Sequence, residues 1–195
     1  RQHGYLGAVS QMDHAVGEML KGLEDKGILD DTIVIYSSDH GDYGCEHGIM
    51  EKAPGICSDA VTRVPFIWRW PKEIRKGHVC KEIVESVDFA PTLCKLAGLD
   101  PMGTVDGRDL SGLLSGGTEP VHEVGVTEFA WSKSLRKGKY RFVSYAKEMF
   151  KEEYPDGFGE LYDLEEDPWE MENLYFNEEY KDTILEMQRD LISWL

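Results

Sequence analysis

The run Thr32-Ile33-Val34-Ile35-Tyr36 leads into Ser37-Ser38-Asp39-His40-Gly41-Asp42, and thirteen residues after Asp39 stands Lys52. Glu46-His47-Gly48 lies between them. Asp39 offers a hard anionic oxygen and His40 a neutral nitrogen that several divalent metals accept, so the adjacent pair has the chemistry of part of a cation site. A lysine that returned to such a pair would suit a bound tetrahedral oxyanion, as a compact positive charge with up to three donors. His47 stands in the same loop and reads either as a substrate-facing residue or as a structural one. Spacing alone leaves the plainer alternatives open: Asp39 starting a turn, His40 at the surface and Lys52 solvated.

The elements that must position these residues come next. Tyr5, Ala8, Val9, Met12, Val16, Met19, Leu20 and Leu23 fall at helical spacing for five turns, and Gly27 suits the C-terminal cap. The β-branched run at 32–36 has the composition of a strand buried on both faces, typical of a parallel sheet, and ligands bind beyond the carboxyl ends of such strands. Residues 37–62 have weak periodicity, four glycines and a proline, which predicts a long functional loop. Val64 to Trp70 reads as a second strand stopped by Pro71. Asp88 is placed to cap a helix running to Leu96, with Pro91 in its first turn and Gly98 ending it.

The character changes after the Gly116-Gly117-Thr118-Glu119-Pro120 stretch. Val124 to Phe129 reads as a strand, Ser134 to Tyr145 as a hairpin about Lys137-Gly138, and Glu160 to Asp163 as a short strand. Asn177 can cap a final amphipathic helix carrying Ile184, Met187, Leu191 and Leu195. Two units are therefore expected: an α/β unit over 1–120 and a small α+β subdomain over 121–195.

Composition narrows the function class. The chain has 195 residues, 41% hydrophobic and 30% charged, in the range of globular domains, and no apolar run approaches the roughly 20 residues of a membrane-spanning helix. A formal charge of −16 argues against nucleic acid as a partner. The charge is uneven: residues 148–182 hold 14 acids and two bases, whereas 129–147 hold six bases and no acid. That basic stretch, with Trp131, either flanks an anionic substrate or forms a solvated edge. Cys45, Cys57, Cys80 and Cys94 show no zinc-type spacing and read as free thiols. His3, His14, His78 and His122 read as surface or packing residues.

A set of ordered segments carries a resemblance. Ser38-Asp39-His40-Gly41, Glu46-His47-Gly48-Ile49-Met50-Glu51-Lys52, Arg63-Val64-Pro65-Phe66-Ile67, Asp88-Phe89-Ala90-Pro91-Thr92-Leu93 and Asp106-Gly107-Arg108 stand in the order and spacing of the type I sulfatases. The hairpin Arg136 to Arg141 and the stretch Glu160 to Pro168 resemble that family's C-terminal subdomain. The resemblance implies an alkaline-phosphatase-like α/β sandwich with a mostly parallel sheet, followed by a small antiparallel sheet and helix. It implies hydrolysis of sulfate esters or sulfamates, on a sulfated small molecule or glycan. It assigns Asp39 and His40 to a divalent metal, calcium first, with manganese, magnesium and zinc left open by the nitrogen of His40. It assigns Lys52 to the sulfate and the nucleophile, while His47, placed by its loop position alone, stays open between a substrate-side and a structural role.

The family's nucleophile is a formylglycine made from Cys or Ser in a C/S-x-P-x-R motif, and no Cys or Ser of this chain is followed by that pattern. The chain is therefore expected to be the C-terminal part of a sulfatase, without the N-terminal nucleophile half and inactive alone. It opens at Arg1 already within a helical pattern, with no signal-peptide pattern. Two rivals remain: a phosphodiesterase or phosphonate monoester hydrolase of the same superfamily, and a non-catalytic module that binds sulfated glycans.

Overall fold

The computed structural model describes residues 2–52, 56–100 and 103–195. Helix α1 spans Gln2–Asp25. It stops at Gly27, which takes the left-handed conformation (φ 69°), donates to the Glu24 carbonyl at 2.8 Å and lets the Ile28 amide reach Leu23 at 3.1 Å. This is the glycine-dependent helix stop that the sequence predicts. Strand β1, Val34–Ser37, follows, then the short helix α2, Asp59–Thr62, and strand β2, Phe66–Arg69.

The two strands pair antiparallel, with Ile35 opposite Trp68. This corrects the expected parallel arrangement for the only pairing in this part of the described chain. A run of β-branched residues reports how a strand is buried, not which way its neighbour runs. The burial is also incomplete: Val34 and Ile35 are half-buried, and Tyr36 and Ser37 are exposed.

Trp68 is buried and packs against Phe66 and against Phe89 of α3, Phe89–Leu96. Helix α4, Ser111–Leu114, contributes Leu113, buried like the adjoining Leu110. Asp88 stands at the N-cap position of α3, where the sequence places it, but its side chain makes no cap bond there. It closes a short 3-10 turn, Ser86–Asp88, and its carboxylate goes elsewhere. Fully buried, it accepts the amides of Glu85 and Arg108, each at 2.8 Å, and lies 2.9 Å from Nε2 of His122. Glu85 in turn accepts the Val126 amide at 2.8 Å. His122, expected at the surface or in simple packing, thus joins the two parts of the chain.

The second part is a four-stranded antiparallel meander: β3 Gly125–Phe129, β4 Ser132–Lys137, β5 Tyr140–Tyr145 and β6 Gly159–Asp163. Gly138, at φ 54°, makes the β4–β5 turn. Helix α5, Lys181–Trp194, lies across the sheet after a 3-10 turn capped by Asn177, whose Oδ1 accepts the Glu179 amide at 3.0 Å. Leu135, Phe142, Leu161, Ile184, Met187 and Leu191 close the core between sheet and helix. No helix among the described residues is long and apolar enough to cross a membrane.

The basic hairpin meets acids of its own subdomain. Lys137 donates to Glu186 and Asp190 at 2.6 and 2.7 Å, Lys139 meets Asp163 at 2.5 Å, Lys133 pairs with Glu128, and Arg141 pairs with Glu170. Four of the six bases are thereby engaged, which favours a structural part for this stretch over an anion platform. Cys57 is buried, Cys45 and Cys80 are exposed, and all four thiols are free.

Candidate active site

The carboxyl end of β1 delivers the chain to Ser38, Asp39 and His40. The Asp39 carboxylate accepts its neighbour's amide, from His40, at 2.9 Å and the Ser38 hydroxyl at 3.3 Å. These contacts, led by the His40 amide and the His40 ring, hold its pKa below the ordinary aspartate value. The side chain is otherwise open to solvent, so it stands as a charged and accessible oxygen donor.

Nδ1 of His40 lies 2.8 Å from the Gly41 carbonyl oxygen, which can accept only a ring N–H. The proton of the neutral ring therefore sits on Nδ1 and leaves Nε2 with a free lone pair. A carbonyl bonded to the far ring nitrogen is the usual way a metal-binding histidine is oriented. Nε2 faces Oδ2 of Asp39 at 3.5 Å and Nζ of Lys52 at 3.3 Å. Asp39, His40 and Lys52, read separately from the sequence, meet here.

The return of Lys52 depends on the loop geometry. Gly44, Cys45, His47, Gly48 and Glu51 all have positive φ, which turns the chain tightly back on itself. The Cys45 amide donates to Ile49 and the Tyr43 amide to Glu51, both at 3.0 Å. Gly41 is required by closeness: its amide donates to Val61 at 2.8 Å, and a Cβ there would lie 2.0 Å from the Ala60 oxygen. His47 is exposed and meets the Tyr43 ring edge-on at 6.2 Å, with no hydrogen bond to the trio among the described residues.

Asp39 and His40 supply two donors, and no group of three or more His, Cys, Asp or Glu residues able to hold a metal exists among the described residues. The donor set, one free carboxylate and one oriented imidazole, fits part of a divalent metal's shell. A hollow of about 2900 Å³ opens elsewhere, between residues 62–87 and the β3–β5 face, and none of the trio lines it. It far exceeds the roughly 300–1,000 Å³ of an ordinary ligand pocket and reads as a gap between the two parts.

The sulfatase family model matches residues 2–99, half of the chain, including the whole trio. The chain belongs to the sulfatase family. This sulfatase-family chain is 33% identical over 192 residues to the N-acetylglucosamine-6-O-sulfatase of Bacteroides thetaiotaomicron, covering 90% of the chain and 32% of that protein. It is 31% identical over 194 residues to an arylsulfatase of Clostridium perfringens, covering 98% of the chain and 39% of that protein. A solved structure of a protein in complex with its substrate D-glucosamine-2-N,6-O-disulfate superposes with a TM-score of 0.86 and 28% identity, over 97% of the chain and 39% of that structure. The chain thus spans about a third to two-fifths of the length of these relatives. Sulfatases of this kind work with a divalent metal and a formylglycine.

Sequence reasoning missed Glu170, Arg141 and the Asp88–His122 pair. Asp88 and Arg141 lie within stretches visible as motifs, Asp88-Phe89-Ala90-Pro91 and Arg136 to Arg141, and Glu170 stands two residues after Asp167-Pro168, but nothing local marks a charged residue as buried.

Proposed function

We propose that the whole protein hydrolyses sulfate esters of a sulfated sugar, and that this chain supplies Asp39 and His40 to a divalent metal and Lys52 to the sulfate. The observation that carries this reading is the meeting of Lys52 Nζ with His40 Nε2 at 3.3 Å, beside the free carboxylate of Asp39. A metal bound there would polarise the sulfate oxygens, and the formylglycine would supply the attacking hydroxyl. Lys52 offsets negative charge on the sulfate oxygens and orients the group by hydrogen bonds. The Gly41 carbonyl fixes which nitrogen of His40 faces the site. His47, exposed on the loop that returns Lys52, serves as a substrate-side contact.

Calcium is the ion the family pattern implies; the nitrogen donor also suits manganese or zinc. The sugar class rests on the relatives, which include an N-acetylglucosamine-6-O-sulfatase. The division of the chain near residue 120 belongs to the same proposal: residues 1–120 carry the site and residues 121–195 brace it. Phosphoryl transfer and glycan binding without catalysis are not favoured, because the two sequence relatives described above, each over 30% identical, are sulfatases, although a phosphonate monoester hydrolase of Agrobacterium radiobacter shares the fold at a TM-score of 0.82 and 26% identity.

Lys52→Ala in the whole protein should lower turnover of 4-nitrophenyl sulfate by roughly a hundredfold or more, with an unchanged circular dichroism spectrum. A near-normal rate would remove Lys52 from the site. Hydrolysis of 4-nitrophenyl phosphate in preference to the sulfate would overturn the assigned chemistry.

A further inference from the structure

The C-terminal sheet carries a charge pair that the proposed reaction does not use. Arg141 in β5 pairs with Glu170, in the loop between β6 and α5, with side chains only 2% and 4% exposed. Each makes a second bond to the other part of the chain. Nη1 of Arg141 donates to the Cys57 carbonyl, and the Glu170 oxygens accept the Asp59 amide at 3.3 and 3.2 Å. Glu170 does so from a left-handed backbone, φ 56°, a conformation that costs a non-glycine residue free energy.

The gripped segment is the floor of the candidate site. Ser58 caps α2 by accepting the Ala60 amide at 3.1 Å. Val61 of that helix accepts the Gly41 amide at 2.8 Å, and the Ala60 carbonyl leaves no room for a side chain on Gly41. Asp39 and His40 directly precede Gly41, whose carbonyl orients the His40 ring. Two residues further, Tyr43 is buried, and its amide donates to the carbonyl of Glu51, the residue before Lys52, at 3.0 Å. A continuous series of contacts thus runs from Glu170 and Arg141 to all three site residues.

A buried ion pair seldom adds net stability, because desolvating two charges costs about as much as their attraction returns. Apolar replacements of similar volume often equal or exceed it, and the best-attested use of such a pair is to fix one arrangement of the chain. Burial does raise Glu170 to about 7 against the pull of Arg141, so its ionised form is kept at a cost.

We propose that Arg141 and Glu170 are positioning residues that, through Cys57, Asp59 and Gly41, hold Asp39 and His40 in register with Lys52. The inference rests on the reading of that trio as metal and sulfate contacts.

Two variants of the whole protein test it: Glu170→Gln, and Arg141→Met combined with Glu170→Leu. Hydrogen exchange is read at the amides of Gly41, Tyr43 and Cys45, with the β4 and β5 amides as a control for folding. The loop amides should exchange about tenfold faster or more in both variants while the sheet is unchanged. The double variant should melt at or above the wild-type temperature, yet its kcat on 4-nitrophenyl sulfate should fall about tenfold or more with little change in KM. Unchanged loop exchange in an active protein overturns the proposal. So does a lowered melting temperature with faster exchange in sheet and loop together, the mark of a merely structural pair. If the wild type neither binds calcium nor releases sulfate while the variants still loosen the loop, it is the reading of the trio that fails, and the coupling stands.

Discussion

The C-terminal sheet with α5 and the opening α1–β1–β2 region solve different problems. In the first, Leu135, Phe142 and Leu161 from three strands meet Ile184, Met187 and Leu191 from the helix in a buried cluster, although Trp169, Met171, Ile192 and Leu195 stay exposed around it. In the second, Tyr5, Leu6, Val9, Met12 and Met19 of α1 stay exposed, as do Tyr36 of β1 and Ile67 of β2. Contacts among the described residues leave that apolar surface uncovered. The contrast teaches that the C-terminal unit is stabilised by its own contacts, whereas the strand bearing the candidate site draws little from this chain. What steadies the site here is its attachment to the better-packed unit.

The largest test of that contrast is in the closed core. Phe142→Ala should cost about 3–5 kcal/mol in chemical denaturation, because the residue is fully buried between sheet and helix. A loss below about 1 kcal/mol would mean that the core is not closed as described. Next comes the joint between the units. Asp88→Ala would leave the amides of Glu85 and Arg108, both in partly buried bonds, and the His122 ring without their acceptor and should cost about 1–3 kcal/mol, with β3 amides losing protection. Denaturation that touches only one unit would show that this joint carries little.

A smaller effect is expected with pH. Glu170 faces Arg141 of β5 and Asp59 and Ser58 of the α2 segment, and burial raises its carboxyl to about 7. Because the folded pKa lies above the unfolded one, the protonated group favours folding. Its contribution is fully present below the unfolded value of roughly 4.3 and is lost as pH rises through about 7. Glu170→Gln should remove a decline of roughly 1–3 kcal/mol from the stability profile between those values. A profile identical to the wild type would show that the carboxyl titrates normally. The smallest effect belongs to the open face: Val9→Ser in this chain should change stability by less than about 0.5 kcal/mol. A larger loss would show that α1 is already covered.

Much of this arrangement was legible in the residues. The five turns of α1 and their glycine stop, the hairpin about Gly138 and the amphipathic α5 follow from local periodicity and turn chemistry. Asp39, His40 and Lys52 were legible as a motif, and the structure sets Nε2 of His40 3.3 Å from Nζ of Lys52 and 3.5 Å from Oδ2 of Asp39. Three features were not. Asp88 looks like a helix cap because its neighbours fit that pattern, yet His122, 34 positions on, claims its carboxylate. Arg141 stands in a basic, strand-like stretch, and nothing local tells it from the solvated Lys147. The antiparallel pairing of β1 with β2 was not legible, because composition records burial alone.

The helices, the turns and the set of residues that mark the sulfatase family follow from neighbours within a few positions along the chain. Which charges are buried depends instead on contacts between distant segments. Arg141 reaches Cys57 across 84 positions and Glu170 reaches Asp59 across 111. Desolvating a charge is tolerated only where a partner waits, and the position of that partner is a property of the folded chain.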